Sequence, residues 1–225
     1  MTSPPFHLRP AIASDLEAIL TLERATGLAP HWPPAAYTGI LQPNDLGASS
    51  IPRSLRNGWK TASLSSDRID SDELPQANAI QRCLFVADKD GSLAGFAVGL
   101  LHPATHDPAI SDARQRIAEL ESVVVSASAR RAGIGRALCR AVFDWSRSQG
   151  ATELILEVRA SSSAAIALYA GLGFTLAARR PRYYCDPNDD ALLMRLPLER
   201  EKGEQPNEST SESSPDCTAA TVPVN

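Results

Sequence analysis

The chain has 225 residues, four cysteines and a formal net charge of −4. That length fills one domain with a sizeable core, the acidic balance gives no reason to expect direct nucleic-acid binding, and no apolar run approaches the ~20 residues that a membrane helix needs. Cys83, Cys139, Cys185 and Cys217 are far apart and form no Cys-x-x-Cys pair, the usage expected of a reduced cytoplasmic protein without a metal site.

In chain order, Phe6 to Arg9 reads as a first strand. Ser14-Asp15-Leu16-Glu17 then opens a helix, with Ser14 as cap and Glu17 completing a capping box. Leu16, Ile19 and Leu20 line its inward face. Pro30, Pro33 and Pro34 stop it, and Tyr37, Ile40 and Leu41 suggest a short second helix. His31 and Trp32, between the two, either touch an incoming ligand or simply pack. Residues 42–80 are rich in Ser, Asp, Asn, Pro and Gly. They read as a polar insertion that is a lid, a partner-binding segment or a solvated loop.

Cys83 to Asp88 and Leu93 to Leu100 are apolar runs joined through Asp90-Gly91, a β-hairpin signal. Gly95 and Gly99 inside the second run point to a bulge or a close backbone approach. A second polar connection follows over 102–115. Its His102 and His106 are separated by Pro103, which favours a loop over a helical pair of metal ligands. Ile117 to Val125 is the next strand.

The stretch Arg130-Arg131-Ala132-Gly133-Ile134-Gly135-Arg136 opens a helix. Glycines there let the backbone turn sharply and approach a ligand. The first N–H groups of the helix lack internal partners and favour an anion. The dinucleotide pattern Gly-x-Gly-x-x-Gly fails because Leu138 stands at its third glycine, and no Lys follows as a phosphate loop requires. Along the helix, Ala137, Leu138, Ala141, Val142 and Trp145 share a face, and Gly150 stands where a C-terminal cap is expected. Leu154, Leu156 and Val158 share one face of the next strand; Glu157 lies on the other. If the neighbouring strands part after Val125, that side borders a wet cleft. A helix over Ser163 to Leu172, a strand from Thr175 and a last strand over Ala191 to Leu196 complete the pattern, with a basic aromatic cluster, Arg179, Arg180, Arg182, Tyr183 and Tyr184, between the two strands. Residues 199–225 read as a disordered tail. The alternation of strands and helices gives an α/β class.

The Arg130 to Gly135 segment resembles the Arg/Gln-x-x-Gly-x-Gly/Ala signature of the GNAT-type N-acetyltransferases. Leu156 to Ser161, Ala164 to Tyr169, Leu172-Gly173-Phe174, Arg179 to Tyr184 and Asp190 to Met194 are similar to its RimI-type branch. That branch acetylates the N-terminal alanine of the eighteenth small-subunit ribosomal protein. The close likeness runs from Glu119 to Leu196, and thins over Leu8 to Leu41 and Cys83 to Leu101. It implies one domain over 6–198, with a mixed, twisted sheet and helices on both faces. It implies acetyl-CoA as co-substrate, a protein N-terminus as acceptor, and direct transfer without an acyl-enzyme. The diphosphate is then held by Arg130, Arg131, Ala132, Gly133, Ile134, Gly135 and Arg136. The thioester carbonyl and pantetheine arm meet the backbone of Val123, Val124 and Val125. Glu157 matches the general base, with Glu119 as rival and Glu121 as a third candidate, and Tyr169 matches the acid that serves the departing thiolate. Ser162 replaces the branch's cofactor-contacting Asn, which implies a weaker contact. A member acting on a small amine or amino acid, and an inactive acyl-CoA-binding module, are the alternatives.

Overall fold

The computed structural model describes residues 6–27, 31–41, 80–104 and 116–198. The bulk of the polar insertion, the tail, Pro30 and His106 lie outside the described residues. A seven-stranded sheet runs in the order β1-β2-β3-β4-β5-β7-β6. Its strands are β1 His7–Pro10, β2 Gln81–Lys89, β3 Ser92–Leu101, β4 Ile117–Val125, β5 Glu153–Arg159, β6 Thr175–Cys185 and β7 Asn188–Pro197. All neighbours are antiparallel except β4 and β5. The helices are α1 Leu16–Arg24, α2 Pro34–Leu41, α3 Ile134–Ser148 and α4 Ser163–Ala170.

Helices cover both faces, as expected. On one face Ile134, Leu138 and Val142 of α3 meet Ala97, Leu101, Ala118, Leu154 and Leu156, with Ala165, Ile166 and Leu168 of α4 packed alongside. Each such buried aliphatic contributes about 1.5–3 kcal/mol. On the other face Ile19, Leu20 and Leu22 of α1 and Tyr37 of α2 meet Leu84, Val86, Phe96, Val98 and Val124. Glu23 is 1% exposed inside that layer. Its Oε1 accepts hydrogen bonds from the Tyr37 hydroxyl at 2.6 Å and the Trp32 N–H at 3.0 Å. The Trp32 ring lies 5.4 Å from that of Tyr37, so Trp32 packs.

Several local expectations are met and some are not. Asp90 and Gly91 both have positive φ, 51° and 75°, the signature of a tight hairpin turn. Gly99 faces α3 so closely that a Cβ would stand 2.6 Å from Val142 Cγ1, and one at Gly95 would stand 2.8 Å from the Val124 carbonyl oxygen. Gly150 ends α3 at φ 77°; its N–H bonds to the Arg147 carbonyl, and that of Ala151 to Ser146, closing the helix end in the Schellman manner. Ser14, by contrast, caps nothing. It sits in a short 3-10 turn, Ala13–Asp15, where the Asp15 carboxylate accepts the Ile12 N–H at 2.8 Å and is gripped by Arg9 at 2.7 and 2.9 Å. Pro34 opens α2 rather than only ending α1, since its missing N–H is harmless at a first helical position. The last hairpin is longer than its apolar content suggests. β6 continues through Arg179 to Tyr184 although Pro181 lies within it, which an edge strand tolerates.

Candidate active site

The turn before α3 is built from backbone. Arg130 is extended, Arg131 has φ 65° and Gly133, the helix N-cap, φ 83°. A Cβ on Gly133 would meet nothing within 4 Å, so glycine serves the conformation there and the loop faces open space. At Gly135 the reason is proximity: a Cβ would stand 3.3 Å from Leu168 Cδ2 and 3.6 Å from Val125 Cγ2. No side chain caps α3, and the first internal bond runs from the Ala137 N–H to the Gly133 carbonyl. Among the described residues, the N–H groups of Ile134, Gly135 and Arg136 therefore have no backbone partner. They point past the helix start, with the positive end of the helix dipole behind them. This fits an anionic diphosphate. Three arginines surround the turn, two of them already engaged. Arg130 Nε lies 3.4 Å from the Val125 carbonyl, and Arg136 Nη1 donates to the Gly171 carbonyl at 3.0 Å. Arg131 is exposed, Ala132 packs on the core and the Ile134 side chain is buried.

Beside this turn the sheet is split. β4 and β5 pair only at Ile117–Glu153, Ala118–Leu154 and Glu119–Ile155. The strands thus part after Glu119, six residues earlier than the expected point after Val125. A β-bulge in β4 accompanies the split: Val98 pairs with Ser122 and Gly99 with Leu120, leaving Glu121 as the extra residue. The Ser126 N–H bonds to the Ala94 carbonyl. Antiparallel alternation then turns Val124 towards Phe96, and directs the N–H and C=O groups of Val123 and Val125 into the gap. Of the three valines, Val124 is consequently excluded as a backbone contact for a ligand in the gap. Its N–H belongs to the β3 ladder and its side chain is buried between the helices of the other layer.

Glu157 stands on β5 beyond the split, on the face opposite Leu156 and Val158. Arg180 Nη1 of β6 approaches its Oε1 to 2.9 Å, and the Glu157 side chain is 15% exposed. Burial pushes its carboxyl above the usual range; Arg180 and a hydrogen bond from Tyr183 pull it down, and Glu119 pushes it up. Glu119 shares that face, and its Oε2 lies 3.2 Å from His102 Nε2. Glu121 is tied to Arg82 at 2.9 Å.

Tyr169 belongs to the last turn of α4 and packs on the core layer that α3 covers, its ring edge-on to Phe174 at 5.9 Å. Burial raises its hydroxyl above the ordinary tyrosine range, with Cys139 and Tyr184 adding to the rise. Glu157 and Tyr169 are thus on opposite faces of β5. Tyr184 links them electrostatically: burial raises it, and so does Glu157. Its ring carries the Arg159 guanidinium at 4.0 Å. Ser162 starts α4 with its carbonyl alone, accepting the N–H groups of Ala165 and Ile166, and its side chain makes no capping bond. The neighbouring Ser161 instead donates to Asp189 at 2.6 Å.

The profile of the acetyltransferase (GNAT) family matches residues 53–174, over half of the chain. The chain belongs to this family. The ribosomal protein bS18-alanine N-acetyltransferase of Escherichia coli K12 is 45% identical over 83 residues, which cover 36% of this chain and 56% of that protein. The chain therefore spans little more than half the length of that relative. The crystal structure of the ribosomal-protein-S18-alanine N-acetyltransferase from Escherichia coli superposes with a TM-score of 0.57 at 24% identity, over 89% of this chain and 98% of that one. A NatC complex bound to Gag peptide and CoA gives 0.59 at 20% identity, over 86% and 99%. These two structures share the GNAT fold, mixed sheet included. Among the described residues no helix is long and apolar enough to cross a membrane, and no cluster of metal-ligating side chains occurs.

The contacts of Arg180 with Glu157 and of His102 with Glu119 are the ones that sequence reasoning missed. Arg180 stands out in the sequence only as part of a basic aromatic cluster, in which Tyr183 or Tyr184 is expected to order an acceptor peptide. To place Arg180 at Glu157 one must know that β7 lies between β5 and β6. A usable signal existed in Ala191, a small residue in the intervening strand over which a long side chain can reach.

Proposed function

We propose that this GNAT enzyme transfers the acetyl group of acetyl-CoA to the α-amine of a protein N-terminus, with the N-terminal alanine of the S18 ribosomal protein as acceptor. The observation that carries this reading is the split between β4 and β5, flanked by the backbone donors of Val123 and Val125 and by the half-buried carboxylate of Glu157. The 83-residue likeness to the bS18-alanine enzyme supports the acceptor class.

In this reading the diphosphate of acetyl-CoA rests on the N–H groups of Ile134, Gly135 and Arg136, and the pantetheine arm lies along the free edge of β4. The bound thioester supplies an activated acetyl carbonyl. Glu157 takes a proton from the acceptor ammonium, so that a lone pair becomes available. The C–N bond then forms at the carbonyl carbon, and N–H donors of Val123 or Val125 meet the oxygen as charge develops on it. The C–S bond breaks with its electron pair on sulfur. In total two protons leave the nitrogen; one ends on sulfur and one in solvent. Tyr169, held above its ordinary range, remains protonated at neutral pH. A thiol of ordinary pKa near ~8.5 does not strip it, so its part is a hydrogen bond to the leaving sulfur more than a lasting proton loan. Ser162 contributes less to the co-substrate than Asn would, because its hydroxyl reaches a shorter distance.

The test uses the full chain, acetyl-CoA and a peptide beginning with the S18 alanine. Thiol release with a matching mass gain on the peptide α-amine is expected. Release with small amines but not with the peptide, or coenzyme binding without turnover, would overturn the reading.

A further inference from the structure

The Glu157 carboxylate is already partnered before any acceptor arrives. Arg180 reaches it from β6 across β7, where Ala191 pairs with both Arg159 and Arg180 and offers only a methyl group, itself fully buried. The 2.9 Å approach of Nη1 to Oε1 lacks the alignment of a straight hydrogen bond. The contact is therefore ionic. The other charged and titratable groups described on this side are Tyr183 and Tyr184 of β6, Arg159 and Glu153 of β5, Asp189 and Arg195 of β7, the last within 3.8 Å of Glu153, and Glu119 of β4 with His102 beside it. β7 presents Leu193 beside Glu157, and on the α1–α2 side Glu121 is paired with Arg82 and Glu23 with Tyr37. Arg180 is thus the one guanidinium among these described groups that closes on Glu157 itself.

A carboxylate in a half-dry cleft, next to a second carboxylate, tends to keep its proton. It can then take none from an ammonium. A guanidinium stays charged at every working pH and offsets both effects. It also occupies the place beside Oε1 that an incoming ammonium would take. We propose that Arg180 is a positioning residue of the transfer, a built-in counter-cation that holds the Glu157 carboxylate in the gap and yields it to the ammonium of the acceptor. This rests on the reading of Glu157 as the base, and goes beyond it by assigning the group that keeps the base ready.

Two measurements on the full chain separate this inference from the function on which it rests. The first is kcat/KM against pH for the alanine-starting peptide, in the wild type, R180Q and R180K. Loss of the counter-cation moves the acid limb of R180Q upward by about one unit or more, so its deficit is about tenfold larger on that limb than at the alkaline end. R180K, which keeps the charge, retains most of the wild-type limb. The second is a carbon-13 NMR titration of glutamate-labelled protein without substrates, with the Glu157 signal assigned by its absence in E157Q. It shows the same upward displacement in R180Q. Arg180 lies partly exposed on the edge strand, so R180Q is expected to fold; should it not, Y183F removes the other partner of Glu157 and gives a smaller displacement of the same sign. An unmoved Glu157 titration, or an equal loss of rate at every pH, overturns the proposal. A displaced titration in a protein that acetylates no peptide would instead keep Arg180 as the counter-cation and reject the acceptor.

Discussion

The turn proposed for the co-substrate and the face proposed for the acceptor are built on different principles. At the turn, Arg130 to Arg136, the groups on offer are main-chain N–H donors and the conformation is set by residues at positive φ. Across the gap, the groups are side chains drawn from three strands: Glu157 from β5, Arg180 and Tyr183 from β6, and Glu119 from β4. A backbone site is local, and tolerates changes of side chain so long as the turn keeps its shape. A side-chain site depends on the register of the sheet, and every member alters the charge state of the others. The fold thus fixes the donor half by geometry and leaves the acceptor half to be tuned by charge.

Four substitutions test that division. The largest effect belongs to Glu157→Gln. It removes the base and is expected to lower kcat by about 10²–10⁴-fold, while calorimetry with coenzyme A finds the affinity unaltered. A parallel loss of affinity would show that the two halves are not separable. Gly133→Val comes next. It forces a β-branched residue into φ 83° at a cost of about 1–3 kcal/mol. The expected result is about tenfold weaker acetyl-CoA binding, with the acid limb of the peptide reaction left where it was; a shifted limb would join the turn to the acceptor face.

Asp15→Asn stands outside both halves. Arg9 holds the Asp15 carboxyl below its usual range by hydrogen bonding, and the Ile12 N–H adds to this. Because the folded pKa lies below the unfolded one, the stabilisation is present at neutral pH and is lost as pH falls through the folded value. The variant should unfold about 1–3 kcal/mol more easily at pH 7, and the gap to wild type should close in denaturant titrations as the pH falls below the ordinary carboxylate range. KM for either substrate should not move. The smallest effect is expected of Ser162→Asn, which restores the longer side chain typical of the resembled branch and tightens acetyl-CoA binding by about 0.5–1.5 kcal/mol. Equal affinities would remove position 162 from the co-substrate site.

The same division explains what could be read from the chain beforehand. The turn was legible because glycine spacing, a following helix and a β-branched strand are neighbours in sequence. Asp90-Gly91 and Gly150 were legible for the same reason: each fixes a local dihedral. The alternation of Leu154, Leu156 and Val158 placed Glu157 on the open face, and it is there. Residues whose partners are distant in sequence were not legible. Asp15 displaces Ser14 from the capping role because Arg9 draws the carboxylate into a bridge. The parting of β4 and β5 is accompanied by a bulge that no single strand announces. Arg180 meets Glu157 only because β7 is inserted between their strands.

The extra residue Glu121 shifts the alternation of β4 by one position. Up to Leu120 the even-numbered residues look towards α3; beyond the extra residue the odd-numbered ones, Val123 and Val125, do so. Delete Glu121 and Leu120 joins Ser122 in a regular ladder, with both halves still on their present faces. The sheet then loses only the local bend and twist that a bulge puts into its strand, and the valine amides go on bordering the opening. The spare position is therefore slack in the strand, used for its curvature and not for the facing of its side chains.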